Sequence, residues 1–260
     1  MMPQPKPLSK EEAIALTRGE YADVVEKTIA ASIAPFLWFE PDEKDGLKAR
    51  NGTTFFVSAD RTFAVTADHV FAGYLRAREA FGKRVRCQFG SFRLEPEDRL
   101  IARNARLDIA TFLISPDEIR RTFEGKYAMS FDPMVPQRDR GVVFTGFPRR
   151  ERRRLGERGI ETRIFTALTV AENVTDLQIS GHFERARIVD TPGRPTAPPG
   201  YDIRGVSGAP LVTMVDSPGL HYWRLGGVMT EFSTTFEIFY ATRADFILPD
   251  GNLIGPSGNV

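Results

Sequence analysis

Three histidines, His69, His182 and His221, are the candidates for a general base working near neutral pH. His69 follows the strand-like run Phe63-Ala64-Val65-Thr66, where a strand gives way to a short turn, so a sheet would hold it while solvent reaches it. Read alone, it serves equally as a hydrogen-bonded structural histidine. In Gly205-Val206-Ser207-Gly208-Ala209-Pro210 a serine sits between glycines, which let the backbone turn amide N–H groups toward one point, as an oxyanion pocket requires. The same residues suit a tight turn. They do not form the G-x-S-x-G elbow, because Ala209 stands at the second glycine. Asp108 opens the apolar run 109–114 despite its poor strand propensity, either as a turn residue or as a carboxylate with a purpose. His182 and His221 are most simply structural or solvent-facing.

The elements that must position these residues are mostly strands. Short apolar or alternating runs at 53–58, 62–66, 85–89, 109–114, 142–146, 164–170, 176–179, 209–214, 226–230 and 236–241 are separated by Gly, Pro and Asp turns. Many short strands with little helix between them predict an all-β chain of antiparallel sheets closed into barrels or a sandwich. Ser9-Lys10-Glu11-Glu12 has capping-box spacing, and the broken apolar stripe after it predicts an N-terminal helical arm, 1–34, ending before Pro35. Residues 121–138, with Pro133 and Pro136, read as a linker between strand-rich halves at 35–120 and 139–248. The four prolines within 191–200 demand a loop, and the tail 249–260 is expected to be poorly ordered.

The conjunction of His69, Asp108 and Ser207, in that order, resembles the trypsin/chymotrypsin-like serine peptidases, and among them the cysteine-poor bacterial HtrA type. Thr66-Ala67-Asp68-His69-Val70 is similar to the histidine motif, Asp108-Ile109-Ala110 to the aspartate motif, and Gly205-Val206-Ser207-Gly208-Ala209-Pro210-Leu211 to the serine motif. Asn51-Gly52-Thr53-Thr54-Phe55-Phe56-Val57-Ser58, Gly146-Phe147-Pro148, Gly226-Gly227-Val228-Met229-Thr230 and Phe239-Tyr240-Ala241 extend the resemblance. It implies two six-stranded antiparallel β-barrels with the active site between them. It also implies Ser207 as nucleophile, His69 as base, Asp108 as its orienting partner, and the N–H groups of Gly205 and Ser207 as the oxyanion hole. The activity implied is an intracellular serine endopeptidase acting through an acyl-enzyme. The alternatives are a peptide-binding module with little turnover, or an esterase using the same triad.

The departures matter as much. Val206 stands where secreted relatives carry the aspartate of zymogen activation, so that switch is absent. Asp68 replaces a small residue; its carboxylate is read as solvated, with an effect on imidazole basicity as the alternative. By resemblance the primary pocket has its floor at Tyr201 and its walls near Thr230, Glu231, Phe232 and Ile238. With no acid at the floor, a basic substrate side chain is not expected there.

Composition closes off other classes. The 260 residues are 42% hydrophobic and 27% charged, with 35 basic against 34 acidic side chains and a net charge of +1, so no global field holds a nucleic acid or an anionic bilayer. The single cysteine, Cys87, cannot form an internal disulfide, which fits a cytoplasmic protein. No segment reads as a membrane span or a secretion signal. Neither paired Cys/His ligand spacing nor a phosphate loop is present, so no metal and no cofactor are expected. Residues 149–163 carry seven arginines and three glutamates: a solvated mobile loop, or a patch for an acidic partner. Aromatics for stacking are missing from it, so nucleic acid is not expected. The expected partners are a protein or peptide substrate, and a protein docked on the N-terminal helix or this loop.

Overall fold

A computed structural model describes residues 20–42, 46–155, 159–183, 201–217 and 220–255, so the helix start expected at Ser9 lies outside the described residues. The arm is seen as α1 (Glu20–Ala30). Val25 and Ile29, one turn apart, are buried at 1% exposure each in a cluster that also holds Phe55 from the first half and Val143 and Val228 from the second. That burial is worth about 2 kcal/mol per side chain. The helix therefore docks on the seam of its own chain. The Lys126 ammonium donates to the Ala30 carbonyl at its C-terminus.

The first sheet begins two residues earlier than expected, with Pro35 inside a strand. It comprises β1 (Ile33–Asp42), β2 (Gly46–Ser58), β3 (Thr62–Thr66), β4 (Arg86–Phe89), β5 (Phe92–Leu94), β6 (Leu100–Asn104), β7 (Ile109–Leu113) and β8 (Met129–Ser130). Their order is β5-β4-β1-β2-β3-β7-β6, with β8 parallel to β2. Its interior is aromatic: Phe36 lies 5.0 Å from Phe89, and Phe71 4.9 Å from Phe112, between ring centroids. The 121–138 linker is structured in part: it begins in the last residues of α3 (Pro116–Thr122), which opens on a full capping box of Ser115 and Glu118, and it contains β8.

The second sheet contains β9 (Arg140–Gly146), β12 (Phe165–Ala171), β13 (Asn173–Val174), β14 (Gln178–His182), β15 (Pro210–Ser217), β16 (Leu220–Ser233) and β17 (Ile238–Arg243). Its order is β12-β9-β15-β16-β17-β14-β13. Setting aside the short β5, β8 and β13, both sheets follow the same cyclic order of six strands, broken between β4 and β6 in one and between β12 and β14 in the other. Side-chain and backbone bonds narrow the second gap: Thr169 Oγ1 donates to His182 O at 2.8 Å, and Glu172 N to Ser180 O at 3.0 Å. The all-β double barrel with an N-terminal helical extension is the architecture of this chain.

Three local expectations change. His69 is followed by a 14-residue helix, α2 (Asp68–Phe81), where a short turn was expected; Val70, Phe71, Tyr74 and Ala77 are its buried face. The arginine-rich residues 149–163 contain a hairpin of β10 (Arg152–Leu155) and β11 (Gly159–Thr162) where a loop was expected. Within the tail, Ile247 bridges Leu253, Thr111 Oγ1 donates to Gly251 O at 2.6 Å, and a Cβ on Gly251 would lie 3.2 Å from Phe63. Residues 249–255 thus pack on the first barrel.

Candidate active site

The acid–base half of the site is a helix start. Asp108 adopts φ +53°, the left-handed region that Asp tolerates better than most residues, just before β7. The turn leading to it is held by Asn104 Oδ1, which accepts from Arg106 N at 2.9 Å and Leu107 N at 3.0 Å. The second barrel braces it as well, because Thr242 Oγ1 donates to Leu107 O at 2.6 Å. So placed, Asp108 Oδ1 accepts from the backbone N–H of His69 at 2.8 Å, and Oδ2 lies 2.7 Å from His69 Nδ1. One carboxylate thereby serves the N-terminus of α2, where negative charge is favoured, and fixes the imidazole with Nδ1 engaged. The ring is half-exposed, with Nε2 left for chemistry.

Asp68 does not face solvent. It is 3% exposed and accepts a two-pronged bond from Arg103, Nε at 2.7 Å and Nη2 at 2.9 Å, while that guanidinium also lies over the Phe71 ring. A buried carboxylate needs such a partner, so its charge is spent on anchoring α2.

Ser207 sits in a loop made by glycine. Gly205 and Gly208 have φ of +104° and +87°. A Cβ on Gly205 would meet Asn51 Nδ2 at 2.6 Å and Phe147 O at 2.7 Å, and one on Gly208 would meet Thr53 O at 2.2 Å. Thr53, fully buried, stitches this loop to the first barrel: its N–H donates to Ser207 O at 2.9 Å, and its Oγ1 donates to Gly205 O at 2.9 Å and accepts from Phe147 N at 3.0 Å. Among the described residues, the N–H groups of Gly205 and Ser207 have no acceptor, whereas Val206 N and Gly208 N are bonded to Ile203 O and Met229 O. Val206 is 2% exposed, in the core of the second barrel. The Ser207 hydroxyl donates to the Thr230 carbonyl at 3.2 Å.

His69 and Ser207 line one cleft of about 560 Å³ between the barrels. Tyr201, Thr230, Glu231, Phe232 and Ile238 are not part of its wall. Tyr201 is buried, stacked on Phe165 with centroids 5.3 Å apart, and its hydroxyl donates to Glu151 Oε1 at 2.7 Å. Burial, and then that carboxylate, push the phenol well above its ordinary pKa. Thr230, 7% exposed, sits at the bulge of β16 on β17, beyond which Glu231, Phe232 and Ile238 run along that strand pair. His182 is exposed, its Nδ1 2.5 Å from Glu172 Oε2. The side chain of His221 lies outside the described residues. Among the described residues no group of three His, Cys, Asp or Glu side chains could hold a metal ion.

Sequence reasoning missed the structural roles of Thr53, Asn51 and Arg103, and the contribution of α2 to the cleft wall. The α2 signal was readable, since apolar residues at 70, 71, 74 and 77 repeat at helical spacing after an acid. The Asp68–Arg103 pair was not, because it joins residues 35 apart across separate elements.

No protein-family model matches the chain, and neither does any curated protein. Solved structures similar to it include the Rv3671c protease of M. tuberculosis in its active form, 17% identical over 99% of this chain and 92% of that one, with a TM-score of 0.48. A catalytically inactive tobacco etch virus protease complexed with substrate is 13% identical over 84% of this chain and 80% of that one, at 0.46. The active form of that viral protease, complexed with product, is 13% identical over 82% and 73%, at 0.44. At such distance the strand order within this chain, and no neighbour's name, defines the architecture: an antiparallel double β-barrel.

Proposed function

We propose that the chain is a serine endopeptidase that hydrolyses peptide bonds through Ser207, His69 and Asp108. Ser207 Oγ attacks the scissile carbonyl, His69 Nε2 takes its proton and returns it to the leaving amine, and the N–H groups of Gly205 and Ser207 hold the oxyanion. Water then hydrolyses the acyl-enzyme by the same base. The observation that carries this reading is an imidazole tied through Nδ1 to a carboxylate, facing the same cleft as a serine flanked by two unengaged amides. A cysteine nucleophile has no support: Cys87, the sole cysteine, is buried in the first barrel, and burial raises its thiol well above the ordinary range. A free buried thiol also fits a cytoplasmic location. No described helix is long and apolar enough to cross a membrane. The acyl-side pocket is proposed to be formed by Thr230, Glu231, Phe232 and Ile238 over the buried Tyr201 as its floor, and to take small or medium apolar groups.

One observation favours a second reading, a peptide-binding module with little turnover. The Ser207 hydroxyl donates to Thr230 O, so attack requires that bond to be given up and the proton turned to the imidazole. A fluorophosphonate probe separates the two, because it reacts only with an activated hydroxyl. Wild-type protein should label stoichiometrically and Ser207→Ala not at all, with peptide turnover falling about 10⁶-fold in that variant. Unlabelled wild-type protein with normal peptide binding would establish the module instead.

A further inference from the structure

The cleft beside His69 has a chemical character that the triad does not use. His69, Val70, Gly73, Arg76, Ala77 and Phe81 contribute to its wall from one face of α2, at spacings of three and four. Trp38 of β1 completes an apolar floor. The ionisable residues around it are unbalanced: Arg50, Arg76, Arg149 and Arg204 against Glu40. Two arginines are already neutralised, Arg50 by Glu40 at 2.7 Å and Arg204 by Asp202 at 2.6 Å. Arg76 and Arg149 are exposed; neither forms a close ion pair among the described residues, although Arg149 is near enough to help Arg204 hold the Asp202 carboxyl below its ordinary range. A further cation stands behind them. Arg152, half-buried, donates to Asn51 Oδ1 at 3.0 Å, and burial together with repulsion from Arg149 and Arg50 lowers its pKa.

The side of the cut can be assigned from the chemistry. His69 gives its proton to the leaving amine, so the leaving segment runs beside the imidazole and over the helix that begins there. The proposed acyl-side residues, by contrast, are absent from this wall. Arg149 is next to the oxyanion loop, its N lying 2.9 Å from a Cβ built on Gly205. Arg76 is seven residues beyond His69, about 10 Å along the helix, the span of roughly three extended residues.

Resting on the peptidase reading, we infer that the leaving-group side of this cleft selects substrates carrying a carboxylate within three residues after the scissile bond. Apolar contact with Trp38, Val70, Ala77 and Phe81 would seat the segment, and Arg76 and Arg149 would pair its charge. Either an internal Asp or Glu side chain or a free chain terminus offers that carboxylate.

The test uses peptides identical on the acyl side. One has Asp and Glu at the second and third leaving positions and an amidated end; one has Asn and Gln there with an amidated end; one has Asn and Gln with a free terminal carboxylate at the third position. Cleavage by the wild type and binding to Ser207→Ala, read by fluorescence anisotropy, are both measured. The acidic peptide should exceed the neutral amide about tenfold at low salt in both assays. The advantage should shrink several-fold in about 0.5 M NaCl, where exposed charges are screened within a few ångströms. In Arg76→Gln/Arg149→Gln the ratio of acidic to neutral should fall close to one, whereas Arg120→Gln, on α3, should keep it. The free-terminus peptide matching the acidic one would identify the chain end as the ligand; matching the neutral amide would identify side chains. Equal handling of acidic and neutral peptides, or a preference that survives the double substitution, overturns the inference. Fluorophosphonate labelling of the wild type is scored separately: lost labelling with retained acidic binding sinks the hydrolase reading alone.

Discussion

The two barrels share a strand order yet build their halves of the site by opposite means. In the first, His69 and Asp108 belong to regular elements, a helix start and a strand start, and are already bonded to each other at 2.7 Å. In the second, Ser207 rides on a loop whose path needs two glycines at positive φ, and its hydroxyl is turned to Thr230. The acid–base residues are bonded directly to each other and take one brace from the second barrel at Leu107 O, whereas the nucleophile loop is held from across the seam by Thr53, with Asn51 fixing the adjoining Phe147 O. A catalytic group on a regular element can be fixed by its own barrel, but a loop that must present free amides cannot spend those amides on its own support.

That contrast can be broken from either side. After the loss of Ser207, the largest effect should come from Asp108→Asn, which keeps the shape but lets the imidazole take the wrong tautomer; kcat should drop by about 10⁴-fold with little change in KM. Gly205→Ala attacks the other half. Its Cβ has no room against Asn51 and Phe147 O, so the loop must shift and an oxyanion donor is displaced, costing on the order of 10²- to 10³-fold in kcat. Steady-state kinetics on one amide substrate measures both, and a Gly205→Ala enzyme with wild-type kcat would show the loop to be self-supporting.

Thr53 sharpens the comparison without touching the chemistry. Thr53→Ala leaves Gly205 O and Phe147 N unpaired in the seam and should destabilise by about 2–3 kcal/mol in urea unfolding, while Thr53→Ser recovers most of that. The smallest effect concerns α1. Burial lowers the Lys126 pKa from 10.5 to about 8, so between pH 8 and 10.5 the unfolded chain holds a proton that the folded chain has lost. Stability therefore rises with pH across that window, by roughly 1–2 kcal/mol after allowance for partial exposure, and Lys126→Met should abolish the rise. Urea midpoints at pH 7.5 and 10 would measure it.

The residues that read as local words were legible. His69, Asp108 and Ser207 stand in short motifs, each near a strand boundary, and the short apolar runs in β2, β3 and β7 exposed the sheets. What the sequence left unread depends on distance or on competing signals. Thr53 looks like one more β-branched residue until β2 meets the glycine loop. Asp68 looks solvated until Arg103 arrives from β6. Helix α2 follows directly on a strand whose end reads as a short turn, and the Gly, Pro and Asn in 249–255 resemble disorder until Gly251 meets Phe63. Tyr201 is a pocket candidate by its spacing from Ser207, whereas its bond to Glu151 joins residues 50 apart and could not be read from the sequence.

The docking of residues 249–255 bears on how the chain is made. Thr111 and Phe63 belong to the barrel synthesised first, yet Gly251, the partner of Thr111, is translated 140 residues after it. A nascent first barrel keeps that flank bare until the second barrel and the segment after it have emerged, so covering it is a long-range closure of the kind that slows folding.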